Sequence, residues 1–239
     1  MNRSEFLSTA LGLFAFSNID AKPLRNFDLL LLIGKGNPQM VGNSHPMLPE
    51  VAIALKKMTQ AAENEGIQIK VVSAYRSYDR QKAIWNKKFS RFEKQGLKGM
   101  DIVNQIIKYS TIPGTSRHHW GTEIDIIDGS QSAEGDLLLK EKFHGNGPYN
   151  KLRTWMETNA NNFGFIKPYT QDPERKGFLY EPWHYSYANL SKPMLKAYID
   201  QDAIALIKDN DLLGAELLDS KFINTYLKNH VLGIDSDLL

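Results

Sequence analysis

No cysteine occurs among the 239 residues. That absence excludes disulfides, thiolate zinc sites, cysteine nucleophiles and lipid attachment through cysteine. It leaves the compartment open, because a chain of this length can bury a sufficient core without cross-links. Charge of one sign is also lacking: 29 basic and 27 acidic residues leave a net charge of +2. There is no basic stripe, the usual electrostatic footprint of a nucleic-acid partner, so none is expected. No stretch approaches the roughly 20 consecutive apolar residues of a membrane span. Familiar catalytic signatures are missing as well. No His-Glu-x-x-His helix and no Gly-x-Ser-x-Gly elbow is present, and Gly34-Lys35-Gly36 lacks what a phosphate loop needs after it.

What remains is an ordinary globular composition, 42% hydrophobic and 23% charged, with no repeats and no low-complexity tract. The N-terminus carries the only targeting clue. Met1-Asn2-Arg3 precedes an apolar run from Leu7 to Phe16 and a short polar stretch ending at Ala21, the order of a secretory signal. Residues 1–21 are therefore read as a signal segment. Glu5, Ser8 and Thr9 depart from the pattern, and an ordinary N-terminal helix is the other reading.

Periodicity organises the rest. Residues 27–33 form an apolar run that spacing alone cannot assign. Val51, Ala54, Leu55, Met58 and Ala61 recur at helical spacing from Pro49 to Asn64, and Gly66 closes that helix. Residues 67–72 alternate as a strand, followed by a helix capped by Ser77 or Asp79 and running to Gln95. Another helix is expected over 101–109. Thr122 to Ile127 alternates so that Ile124 and Ile126 face the core, while Glu123 and Asp125 face away from it. Residues 128–147 are polar and read as an excursion or lid loop. A helix over 148–162 and a strand from Phe165 follow. The aromatic stretch 178–187 reads as a strand that becomes regular only after Pro182, which cannot donate to a ladder. Helices fill the chain from Lys192, burying Ala203, Ile204 and Ile207. The last of them carries Phe222, Ile223 and Tyr226. The irregular mixture predicts an α+β fold, a small and mainly antiparallel sheet packed by helices. Residues 22–190 form its main domain, with a core at 67–187, and 191–239 are helices packed on it.

Chemistry concentrates at Ser116-Arg117-His118-His119-Trp120-Gly121-Thr122-Glu123-Ile124-Asp125. His118 and Asp125 are good zinc ligands, and a catalytic zinc usually takes three protein ligands and leaves one position for water. Tyr180-Glu181-Pro182-Trp183-His184 can supply the third in His184, with Glu181 placed to take a proton from that water. Arg76 offers a fork that matches a substrate carboxylate. Ser116, His118 and Asp125 can also be read as a serine triad, although no nucleophile elbow accompanies them. His45, His144 and His230 fall in polar or terminal contexts and are expected to be solvated.

Together, Tyr-Arg-Ser at 75–77, Ser-x-His-x-x-Gly-x-x-x-Asp at 116–125 and Glu-x-Trp-His at 181–184 resemble the VanY-type D-alanyl-D-alanine carboxypeptidases, within the wider group of LAS-type zinc peptidases. The resemblance covers about residues 67–187. It implies an LAS metallopeptidase-like sheet carrying one Zn2+ on His118, Asp125 and His184, with Glu181 as catalytic base. It further implies Arg76 at the terminal carboxylate, Gln81 and Ser116 as substrate contacts, and Trp183 shaping the site. His119 becomes a substrate-facing or supporting residue. The implied activity is removal of the terminal D-alanine from peptidoglycan stem peptides in the periplasm or otherwise outside the cytoplasmic membrane. Sister activities are L,D-carboxypeptidase, D,D-dipeptidase and L-alanyl-D-glutamate endopeptidase. A wall-binding protein without turnover belongs to a different class. One departure stands out: Glu123 occupies a position usually small in this family. Either it supports a metal ligand, or it meets a cationic group of the substrate. Nothing in the sequence sets the oligomeric state.

Overall fold

The computed structural model describes residues 27–207 and 209–239, so the expected signal segment lies outside the described residues. The unassigned apolar run forms one short helix, α1 (Leu29–Leu32), because Asp28 accepts the Leu30 N–H and caps it. Helix α2 (Pro49–Glu63) begins with proline at its first turn, where the missing N–H costs nothing, and buries Val51, Ala54, Met58 and Ala62 on one face. Strand β1 (Ile69–Ser73) leads to α3 (Tyr78–Lys94), capped by Ser77 accepting the Arg80 N–H. Helix α4 (Met100–Ile106) is shorter than its sequence pattern implied.

Next come β2 (Glu123–Asp128), α5 (Asn150–Asn159), β3 (Phe165–Ile166), β4 (His184–Tyr187), α6 (Ala188–Asp200) and α7 (Ser220–Tyr226). The four strands form one antiparallel sheet in the order β1-β2-β4-β3. The fold is thus α+β, as the sequence predicts. One sheet face sends Ile124 and Ile126 into an apolar cluster with Val51 and Met58 of α2 and Leu152 and Met156 of α5. A larger helical core joins α1, α3, α4 and the C-terminal helices around Trp85, Trp120, Tyr198 and Tyr226.

Three expectations need correction. Residues 128–147 are not simply a loop: Phe143, in a 3-10 turn over Lys140–Phe143, is fully buried with Tyr149, Ile127 and Trp183. The C-terminal helix starts earlier, at Ala188, and ends at Asp200. Asp202 then takes a left-handed conformation (φ 48°), which breaks the pattern before Ala203 and Ile207 reach the core. His230 is not solvated, since its ring stacks on Tyr226 at 4.7 Å and meets Phe178 edge-on. Burial, reinforced by Arg175, pushes its pKa down to about 4. Among the described residues, no helix is long and apolar enough to cross a membrane.

Candidate metal centre and cleft

The strand register assembles the site. Asp125 on β2 pairs with His184 on β4, and Glu123 pairs with Ser186 one step along the same ladder. Because alternate residues share a face, Glu123 and Asp125 both project opposite Ile124. That face is covered rather than solvated: Glu123 has no exposed surface and Asp125 is 4% exposed. His118 arrives on a 3-10 turn (Arg117–Trp120) that ends at Gly121, whose φ is 68°. Side chains with a Cβ rarely adopt that left-handed backbone, so the sharp entry into β2 favours glycine. Glu181 stands beside His184 because a turn with Pro182 at its second position closes a bond from the His184 N–H to the Glu181 carbonyl (3.3 Å).

His118, Asp125 and His184 present ligand atoms within 4.8 Å of one another, all buried. Their hydrogen bonds fix which atoms face inward. His118 Nδ1 lies 2.7 Å from the Ala74 carbonyl, which can only accept, so Nδ1 carries the proton and the Nε2 lone pair points toward Asp125. His184 Nε2 lies 2.8 Å from Glu123 Oε2 and donates to it, which turns Nδ1 toward Asp125. His118 Nε2 and His184 Nδ1 each stand 3.4 Å from an Asp125 oxygen. That is long for a hydrogen bond, but it matches the ligand–ligand separation of about 3.3–3.4 Å set by tetrahedral zinc bonds of about 2.0–2.1 Å. Asp125 Oδ1 is buried without a hydrogen-bond partner. The donor set and this orphaned oxygen fit a divalent cation.

The electrostatics agree. Burial pushes the Asp125 carboxyl up to about 6, with Glu181 adding to it, and together they outweigh the opposing pull of His184 and Arg76. Burial, with help from Arg76 and His184, also pushes His118 well below the ordinary histidine range. His184 behaves oppositely. Burial opposes its charge, but Glu123, Glu181 and Asp125 outweigh that and raise it to about 10.

Arg76 and Glu181 border the same cleft, of about 470 Å³, together with Ser116 and Trp183. Arg76 donates to Gln81 Oε1 (2.8 Å) and Ser73 Oγ (3.2 Å), which aims its fork. Gln81 itself is fully buried, donates to the Thr111 carbonyl at 2.8 Å and does not line the cleft, so it holds Arg76 and is not placed as a substrate contact. His119 also points away. Its Nδ1 donates to the Arg76 carbonyl (2.6 Å) and its Nε2 accepts the Gly114 N–H (3.0 Å), so it ties the Arg76 backbone to the neighbouring turn. Both nitrogens are spent on a neutral ring, and burial pushes its pKa down to about 4.

Glu123 cannot meet a substrate cation, because it is sealed from the cleft. Its Oε1 accepts from Ser186 (2.7 Å) and Thr122 (2.9 Å), and Arg117 Nη2 stands 3.4 Å away. Burial alone would raise this carboxyl, but Arg117 and the bond to His184 hold it down at about 2. No hydrogen bond joins Ser116 to His118 among the described residues, and both His118 nitrogens face elsewhere, so the serine-triad reading fails. Sequence reasoning missed Arg117 and the cleft-lining Tyr169, Lys88 and Arg91. For the last two a signal existed: Gln81, Ile84, Lys88 and Arg91 recur at helical spacing along one face of α3.

A family model described as VanY: D-alanyl-D-alanine carboxypeptidase matches residues 44–190. A Bacillus subtilis protein bearing the name carboxypeptidase YodJ is 37% identical over 171 residues, 71% of this chain and 52% of that protein. The chain spans about half the length of the curated relatives it matches. Among solved structures, VanYB in complex with D-alanine-D-alanine superposes with a TM-score of 0.54 at 21% identity, covering 72% of this chain and 91% of that one. At that identity the likeness shows the fold. The LdcB LD-carboxypeptidase superposes with a TM-score of 0.50 at 29% identity, covering 70% of this chain and 69% of that one.

Proposed function

The chain belongs to the VanY D-alanyl-D-alanine carboxypeptidase family, and on that premise we propose that it is a zinc-dependent carboxypeptidase. Its substrate would be a peptidoglycan stem peptide, from which it removes the terminal D-alanine outside the cytoplasmic membrane. One observation carries the reading: the three buried ligand atoms, Glu181 and the Arg76 guanidinium all converge on a single cleft.

His118 Nε2, Asp125 and His184 Nδ1 would hold one zinc ion. When bound, zinc lowers the pKa of a coordinated water to roughly 7 and polarises the scissile carbonyl. The chain's own residues do the rest. Glu181, with Oε2 3.2 Å from His184 Nδ1, sits at the edge of the ligand cluster. Its carboxylate takes a proton from the attacking water and delivers it to the departing amine. Arg76 receives the terminal carboxylate as a bidentate partner, which rewards a free C-terminus over an internal bond. Trp183, packed on Phe143 at 5.7 Å, forms part of the cleft wall, and Ser116, which also lines the cleft, would be a substrate contact. His119 and Gln81 keep Arg76 in place from behind.

The test is mass spectrometry of a stem pentapeptide ending in D-Ala-D-Ala, incubated with zinc-loaded protein and, in parallel, with Glu181→Ala. Loss of one D-alanine with the intact protein alone is expected. The likeness to an LD-carboxypeptidase keeps a second reading open, cleavage of a tetrapeptide at its L,D bond. Release of D-alanine from the tetrapeptide alone would select that reading. A D-Ala-D-Ala fragment would indicate a dipeptidase, and an L-alanyl-D-glutamate cut the endopeptidase. Zinc binding with no cleavage of any wall peptide would refute the enzyme reading in favour of a wall-binding protein.

A further inference from the structure

We propose that Lys88, backed by Arg91, forms a second anion-binding subsite on the cleft wall, which takes an internal carboxylate of the peptide substrate. This rests on the peptidase reading above. Both side chains line the same cleft as Arg76 and Glu181 and project from one face of α3.

Lys88 differs from the other half-buried cations of the described residues. Lys82 is 2.9 Å from Asp209, Lys167 is 3.1 Å from Glu157, and Arg76 is bonded to Gln81 and Ser73. Arg175 donates to the Thr170 and Gly233 carbonyls, and Lys142 to the Asp136 carbonyl. Lys88 has no hydrogen bond and no ion pair among the described residues. It is nevertheless partly desolvated. Burial pushes its ammonium pKa down, Arg91 and Arg76 push the same way, and only Glu181 and Asp136 oppose them. A cation drawn out of water without a partner is costly, and an arriving carboxylate would relieve that cost. The 136–141 segment of the cleft lining carries Asp136 and Glu141 as well as Lys140, so Lys88 and Arg91 of α3 are better placed to receive an anion than that segment.

Spacing indicates which carboxylate fits. Lys88 stands two turns along α3 from Gln81, the residue that aims Arg76, or about 10 Å at a rise of 1.5 Å per residue. An extended peptide covers at most about 3.3–3.6 Å per residue. With its terminal carboxylate on Arg76, the substrate would place a second carboxylate on Lys88 roughly three residues toward its N-terminus.

The experiment uses two pentapeptides that differ only in whether the internal carboxylate at that distance is free or amidated. Release of the terminal residue is followed with the full-length zinc-loaded protein, Lys88→Ala, Lys88→Arg and Arg91→Ala. The free acid is expected to have a KM about tenfold lower than the amide, with little change in kcat. Lys88→Ala should erase that difference, Lys88→Arg should retain it, and Arg91→Ala should weaken it. Equal KM values for both peptides on the unmodified protein would overturn the subsite while leaving the peptidase reading intact. If neither pentapeptide is cleaved, the D,D-carboxypeptidase reading fails, and calorimetric binding of the same pair decides the subsite. Tighter binding of the acid, lost in Lys88→Ala, would support it, and equal affinities would overturn it.

Discussion

Replacing Glu123 with glutamine probes the least expected part of the site. The exchange keeps the shape and removes one buried charge. Glu123 Oε2 can be replaced by the amide oxygen, which still accepts from His184 Nε2, but the amide nitrogen then faces Ser186, Thr122 and Arg117. All three are donors in the present arrangement; the two hydroxyls can turn to accept from that nitrogen, but Arg117 can only donate and loses its anion. Arg117 is 3% exposed, and its Nε and Nη1 already lack partners, so the loss of Glu123 strands a buried cation. Breaking one side of such a pair costs about 3–5 kcal/mol. For a chain of this size, each kcal/mol shifts Tm by about 2–4 °C, so a fall of roughly 6–20 °C is expected. Zinc affinity should also drop about 10–100-fold, the usual effect of disturbing the group that orients a metal-binding histidine. Calorimetric melting gives the first quantity, and competition with a chromophoric chelator at 20 °C gives the second. The double variant Arg117→Met/Glu123→Gln removes both charges and should recover much of the lost Tm, but not the zinc affinity. A Glu123→Gln protein with unchanged Tm and unchanged zinc affinity would refute the proposed link from Arg117 through Glu123 to His184.

Other outcomes follow from the same geometry. Glu181→Gln should lower kcat about 10²–10⁴-fold while zinc still binds, as read by single-turnover kinetics and metal analysis; loss of zinc instead would make Glu181 a ligand. Gln81→Ala should raise KM for the terminal-carboxylate substrate by freeing Arg76, while leaving kcat nearly unchanged. In the zinc-free protein, His184 is raised to about 10 and keeps its proton at pH 8, whereas Asp125, at about 6, has already lost its own. Zinc binding at pH 8 should therefore release about one proton, rising toward two near pH 5.5, as measured by calorimetry in buffers of different ionisation heat. Because both folded-state values lie above the unfolded ones, their contribution to zinc-free stability is present at low pH. It is lost from about pH 4 to 6 for Asp125, and as pH rises toward 10 for His184. Zinc-free protein whose Tm rises through these windows would contradict the assignment.

Much of this arrangement can be read along the chain. The spacing of Val51, Ala54, Met58 and Ala62 marks the buried face of α2, and the alternation in β2 separates Ile124 and Ile126 from Glu123 and Asp125. Pro182 sets the start of β4, because it cannot join the ladder. What covers the polar face of β2 is not legible in the same way. Strand parity places Glu123 beside Asp125, but the wall that seals it comes from Arg117 and Ser186, and the latter is 63 positions distant. Gln81 and His119 look like cleft residues in one dimension and turn out to stand behind Arg76. The break at Asp202 depends on one residue adopting a left-handed backbone, which helical periodicity does not report.

The pairing of Asp125 with His184 has a consequence for the order of assembly. His118 and His184 are 66 positions apart, and the atoms that would grip a cation come together only when β4 zips onto β2. A partly made or partly unfolded chain can offer isolated histidines and carboxylates, but no three-point cage. Tight capture of the ion is thereby postponed until the tertiary structure is complete, and possession of the ion certifies that the last central strand has found its place.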